Sequence, residues 1–135
     1  MPNPPSTGLP NPQSYDTSRM PEVVFDNVTK LEWQRTVAEG TYDWSAARAY
    51  CSALTSAGGG WRLPSRIELL SIVDFTQPGP VIDTKAFPST PSEYFWTASP
   101  LAGDASTAWS VQFGFGTVFA SPNVNTNALR VRCVR

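Results

Sequence analysis

Cysteine occurs only twice in this chain, and the two positions constrain its folding more than any other feature. Cys51 sits in Asp43-Trp44-Ser45-Ala46-Ala47-Arg48-Ala49-Tyr50-Cys51-Ser52-Ala53-Leu54, which reads as an amphipathic helix. Cys133 sits in the terminal run Leu129-Arg130-Val131-Arg132-Cys133-Val134-Arg135, whose alternation reads as a strand. A bond between them would tie an early helix to the last strand. Closing a loop of that length contributes about 4 kcal/mol by restraining the unfolded chain. The alternative is a pair of buried free thiols in a reducing compartment. The spacing is not CxxC, so thioredoxin-like redox chemistry has no support, and two thiolates alone do not build a tetrahedral zinc site.

Histidine is absent. That removes every catalytic triad or dyad with a histidine base, together with the commonest metal ligand. At 135 residues the chain is long enough for one domain with a real core. Ten basic and eleven acidic residues give a net charge of −1, so no global positive field attracts nucleic acid or an anionic membrane. Charged residues make up 16%, which is low for a cytosolic surface, and the 13 prolines and 9 glycines point to a loop-rich fold. No run approaches the length of a membrane span, so no membrane insertion is expected. The N-terminus shows no basic–apolar–small signal pattern, as expected of a start inside a longer secreted protein.

Residues 1–20 are rich in Pro, Asn and Ser and read as a linker or tail, with the domain covering 21–135. Val23-Val24-Phe25 and Leu31-Glu32-Trp33-Gln34-Arg35 form a hairpin around Asp26–Lys30. Asn27-Val28-Thr29 matches a glycosylation acceptor, for which an ordinary turn is the simpler account. Asp43 or Thr41 caps the first helix, whose buried stripe is read as Ala46, Ala49, Tyr50, Ala53 and Leu54, with Gly58-Gly59-Gly60 as its stop. Ser65-Arg66-Ile67-Glu68 fits a capping box for a second helix that buries Ile67, Leu70, Ile72 and Val73. Residues 75–93 carry four prolines and read as an ordered loop anchored by Ile82 and Phe87. Strands resume at Tyr94–Ser99, Ala108–Phe113 and Thr117–Ala120, before a polar loop and the final strand. The order is that of an α+β domain.

The run GWRLPSRIELLSIVD, then Ile82-Asp83, Phe87-Pro88, Phe95-Trp96-Thr97-Ala98-Ser99, Ala108-Trp109-Ser110-Val111 and Arg130-Val131-Arg132-Cys133-Val134-Arg135, resembles the Lcl C-terminal domain family. That family is named for the C-terminal module of a bacterial collagen-like adhesin. DNVTKLEWQR resembles its first hairpin, so the likeness covers about residues 23–135. The resemblance implies a C-type-lectin-like fold, with two helices packed on a small twisted antiparallel sheet and long loops. It also implies an extracellular, cell-surface or periplasmic setting, adhesion, and in some members binding of sulfated polysaccharide. It places Cys51 and Cys133 at scaffold-bridge positions. The Glu-Pro-Asn and Trp-Asn-Asp triplets of calcium-dependent lectins are missing. Arg130, Arg132 and Arg135 form either a positive stripe on the last strand or a set of structural arginines.

Among residues that carry chemistry, Trp33, Trp44, Trp61, Trp96 and Trp109 are expected mainly in the core, with sugar stacking as the alternative. Phe115, between two glycines, is either a contact residue or a bare hairpin tip. Asn123, Asn125 and Asn127 recur at every second position, so in an extended loop their amides would share a side and could grip sugar hydroxyls. Turn formation is the competing account. Asp104, with those amides, is the one place for calcium, but no ligand spacing supports it, and the expectation is no cofactor and no metal. Glu68 and Asp74 do not share a helix face and Glu68 already has a capping role. Asp83 and Glu93 lack evident partners, so no pair of carboxylates is set for glycoside hydrolysis.

The expected function is therefore non-enzymatic: an extracellular recognition or adhesion module that binds a glycan or a surface protein. The expected contacts are Asp104, Phe115, Asn123, Asn125 and Asn127 on loops between late strands. The rivals are a sequence-diversified protein-binding domain and a structural cap on a fibrous protein, for which a homotrimer is expected.

Overall fold

The computed structural model describes residues 1–135. Its strands are β1 (Tyr15–Asp16), β2 (Val23–Asp26), β3 (Glu32–Gln34), β4 (Tyr94–Leu101), β5 (Asp104–Gln112) and β6 (Thr117–Ser121). Its α-helices are α1 (Trp44–Ala53) and α2 (Arg66–Leu70). The strands form two three-stranded antiparallel sheets, β1-β2-β3 and β4-β5-β6. This is the mixed α+β architecture expected from the order of elements.

The C-terminal segment joins the two sheets. Val134 bridges Trp33 on one side and Arg62 on the other, and Arg130 bridges Phe95 in parallel. Glu32 and Arg135 exchange backbone hydrogen bonds at 2.8 and 2.9 Å, and Trp96 N donates to Arg130 O at 3.0 Å. The expected final strand is thus a series of single bridges, because the segment changes partner every few residues. Cys133 is bonded to Cys51, with Cα atoms 5.6 Å apart, and no cysteine is free.

That bond explains the orientation of α1. Asp43 caps it by accepting from Ala46 N at 2.8 Å. Its fully buried positions are Ala47 and Cys51, one turn apart, with Ala46, Ala49 and Ala53 exposed. The anticipated stripe is therefore rotated toward the side that meets Cys133, where small residues permit close approach. The capping box of α2 is present: Ser65 Oγ accepts from Glu68 N, and Glu68 Oε1 accepts from Ser65 N at 2.8 Å. The helix stops at Leu70, and only Leu69 within it is buried. Ile67 is 66% exposed, contrary to expectation. Two residues along a helix turn the side chain about 200°, so Leu69 pointing inward sends Ile67 outward. Ile72 and Val73 are buried as expected, but from the turn beyond the helix.

The proline-rich N-terminal stretch is docked on the domain. Pro2 and Gln13 are buried, Tyr15 and Asp16 pair with Asp26 and Phe25, and Tyr15 meets Phe87 edge-on at 5.1 Å. Gln13 Nε2 donates to Ser71 O at 3.0 Å and to Val73 O at 2.8 Å. Its composition suggested a linker because it holds little apolar surface, whereas it is held mostly by hydrogen bonds.

The core has two clusters. One contains Val24, Trp33, Leu69, Ile72, Ile82, Phe87, Phe95 and Phe113, and the other Val23, Ala47, Cys51, Trp61, Leu63, Trp96 and Cys133. Sequence neighbours Val23 and Val24, or Phe95 and Trp96, fall in different clusters, as the two-residue period of a strand dictates. Both faces of these strands are therefore covered. Ile82 and Phe87 anchor the proline-rich loop as expected, each 0% exposed.

Candidate functional site

The arginines of the C-terminal segment are committed to the scaffold. Arg132 is 1% exposed. Arg135 pairs with Glu32 at 2.7 Å, donates to Ala57 O and Gly59 O, and lies over the Trp61 ring. Arg130 pairs with Glu93, which raises the arginine's pKa and lowers that of the carboxyl through their shared hydrogen bond. No positive stripe is left on this edge.

The five expected contact residues do not form one group. Asp104 starts β5 and Phe115 follows its far end, separated by about 25 Å of strand at the usual rise per residue. Asp104 closes its own turn: Oδ1 accepts from Ser106 N and Oγ, and Oδ2 from Thr107 Oγ1. Those hydrogen bonds, led by Ser106, hold its pKa below the usual range. Phe115 is 75% exposed at the tip of the β5–β6 hairpin. Asn123 has a positive φ of 56°, and its carbonyl accepts from Thr126 N and Asn127 N at 2.9 and 2.8 Å. The loop is therefore a turn, which breaks the alternation that would have put three amides on one side. Val124 N donates to Ser106 O at 3.1 Å, which sets this turn at the Asp104 end of β5. Asn123 and Asn125 are exposed, while Asn127 alone turns toward a cleft.

That cleft holds about 220 Å³ and is lined by Tyr94, Phe119, Ser121, Pro122, Asn127 and Leu129. Tyr94 and Phe119 are 38% and 52% exposed and meet with ring centroids 5.7 Å apart. They stand on β4 and β6, which flank β5, and register places Ser110 beside Phe119. Ser110 is fully buried and small, and its Oγ contacts Ser121 Oγ at 2.8 Å. Tyr94 is opposite Gln112 in register, so the two rings meet diagonally across β5. From Ala105 to Leu129 the chain carries no Asp, Glu, Lys or Arg. The cleft therefore offers ring faces, one amide and hydroxyls without formal charge, a set suited to a neutral ligand with both apolar and hydroxyl faces. Tyr94, Phe119 and Leu129 escaped sequence reasoning, although the uncharged stretch was visible there.

Charge gathers elsewhere. A pocket of about 270 Å³ is lined by Arg48, Ser52, Arg62, Leu63, Ser65 and Ala98. Arg62 forms a two-pronged pair with Glu68, 2.7 Å at each contact, whereas Arg48 has no carboxylate and lies 5.0 Å from the Trp44 ring centre. Arg66, next along α2, lies 4.6 Å from the centre of Trp109. Of the five tryptophans, Trp33, Trp61 and Trp96 are core, while Trp44 and Trp109 are half-buried beneath these guanidinium groups.

A polar cleft of about 290 Å³ lies where the N-terminal stretch crosses the domain, lined by residues including Gln13, Asp74 and Asp83. Asp74 is occupied there by Thr76 and Gln77. No group of three acidic or cysteine side chains is placed to hold a metal ion. No helix is long and apolar enough to cross a membrane.

A model of the Lcl C-terminal domain matches the chain over residues 22–135. No curated protein matches it.

Proposed function

The chain belongs to the Lcl C-terminal domain family, and from that premise we propose that it is a non-enzymatic, surface-associated recognition module of C-type-lectin-like type. Its ligand is a neutral glycan, held in the cleft between Tyr94, Phe119 and Asn127. The observation that carries this reading is the exposed pair of aromatic rings, Tyr94 and Phe119, in a cleft lined by no charged side chain. Aromatic rings stack on the apolar face of a sugar, and an amide pairs with its hydroxyls through both donor and acceptor. An extracytoplasmic setting is in keeping with the Cys51–Cys133 bond. A neutral glycan array tests the reading. Binding lost in Phe119→Ala and Asn127→Ala but kept in Phe115→Ala and Asn123→Ala supports it, and binding indifferent to Phe119 and Asn127 sinks it.

The Arg48–Arg62 pocket favours a second reading, in which an anionic group such as a sulfate ester is bound between α1 and the start of α2. On that reading sulfated glycans bind, salt weakens them, and Arg48→Ala abolishes the binding while Phe119→Ala leaves it.

A further inference from the structure

The C-terminal segment covers one edge of β4 and β5 covers the other, so the sheet β4-β5-β6 has its only open edge at β6. No backbone group of Thr117–Ser121 bonds to anything outside β5, whose Ser110 Oγ also donates to Phe119 O. The opposite outer edge of the fold, β1, is two residues long, and its Asp16 is paired with Arg19. Short length and charge are the usual protections of an edge strand. β6 has neither protection. It runs Thr117-Val118-Phe119-Ala120-Ser121, five residues of largely strand-favouring type without a charge, bounded by Gly116 and Pro122.

We infer that β6 is the contact edge of a two-fold symmetric dimer, in which two copies of this chain pair their β6 strands antiparallel and fuse their sheets into one of six strands. The sequence of the edge is what selects a second copy as the occupant. Antiparallel pairing centred on Phe119 sets Thr117 opposite Ser121, Val118 opposite Ala120, and Phe119 opposite its own counterpart. Each pair matches hydroxyl with hydroxyl or apolar with apolar, and no like charges meet, as they would for an edge carrying Lys or Glu. Phe119 is 52% exposed and stands on the same sheet face as Tyr94, so the axis would bring the two aromatic pairs side by side. The inference concerns assembly and stands whether or not the cleft binds a glycan.

Sedimentation velocity of the full chain over a concentration series is the test. The expected result is a mass rising from one chain to two. Phe119→Lys places like charges opposite each other across the axis and weakens self-association about tenfold or more. Under mild oxidation Phe119→Cys gives a disulfide-linked dimer, whereas Thr117→Cys does not, because position 117 faces position 121 of the other copy. A mass of one chain at every concentration overturns the inference. So does a larger assembly such as a trimer, or a dimer whose strength Phe119→Lys leaves unchanged. The reading is a mass, so a blank glycan array bears on the cleft and not on this edge.

Discussion

The guanidinium of Arg132 lies over the ring of Phe87, 4.9 Å from its centre, in an interior position where Arg132 is 1% exposed. No carboxylate accompanies it. Its Nη1 donates to Gln34 O and Arg35 O at 2.6 and 2.8 Å, and its Nη2 to Thr90 Oγ1 at 2.8 Å. Burial alone pulls its pKa from 12.5 down to about 9. One side chain thus binds the C-terminal segment to the end of β3 and to the proline-rich loop, which has no regular structure of its own.

Replacing that cation with a hydrophobe of similar length removes a desolvation cost, yet it leaves two partly buried carbonyls and a buried hydroxyl without their donor. Each unpaired group costs about 1–3 kcal/mol, so the loss outweighs the gain. Arg132→Met is expected to lower stability by about 2–4 kcal/mol, read as a shift in the urea midpoint. A midpoint at the wild-type value would show that the three acceptors are satisfied in some other way.

How much of this was legible in the sequence depends on whether the signal was local. The capping box at Ser65 and Glu68, the Asp43 cap and the hairpin around Asp26 were readable because the partners lie within a few residues. Two cysteines in the sequence allowed either one disulfide or two free thiols, and the structure bonds Cys51 to Cys133. Arg132 could not be assigned as interior, because its acceptors are backbone carbonyls and a hydroxyl far away in sequence. The Asn123–Asn127 stretch failed for the converse reason: alternation in sequence means a shared side only if the backbone is extended, and Asn123 at positive φ ends that. The cleft itself needs Tyr94 and Phe119 to meet across β5, a relation that only register supplies.

The disulfide closes the chain from α1 to the C-terminal segment, and Cys51 and Cys133 are both fully buried. Changing both to serine removes the restraint on the unfolded chain, about 4 kcal/mol for a loop of this size, and adds two hydroxyls to the core. The double variant is therefore expected to lose at least as much. Changing both to alanine separates the two effects, and its urea midpoint should lie between those of wild type and the serine pair. If the alanine pair matches wild type, the bond contributes nothing to stability.

Gln13 tests whether the N-terminal stretch belongs to the folded unit, although the family match begins at residue 22. Its Nε2 is the shared donor to Ser71 O and Val73 O, in the turn that follows α2. Gln13→Ala leaves both carbonyls without that donor, and a loss of about 1–3 kcal/mol is expected. Hydrogen exchange at Asn27 should speed up together with that loss, because its N–H donates to Ser14 O at 2.9 Å. Exchange and stability both at wild-type values would mean the stretch is only laid on the surface.

Glu68 links the capping box to acid sensitivity. The two-pronged hydrogen bond from Arg62, with the N–H and hydroxyl of Ser65, brings its pKa from 4.5 down to about 2, against a smaller opposing effect of burial. A carboxyl with a lower pKa in the folded than in the unfolded state binds fewer protons when folded. Its contribution is therefore complete above pH 4.5 and is lost as the pH falls toward 2. Other carboxyls titrate over the same range, so the informative quantity is the stability of wild type minus that of Glu68→Gln. The difference should be level above about pH 5 and shrink steadily down to about pH 2. Arg62→Ala should flatten that slope, since it removes the largest cause of the shift. A difference that stays constant from pH 5 to pH 2 would show that the Arg62–Glu68 contact does not hold in solution.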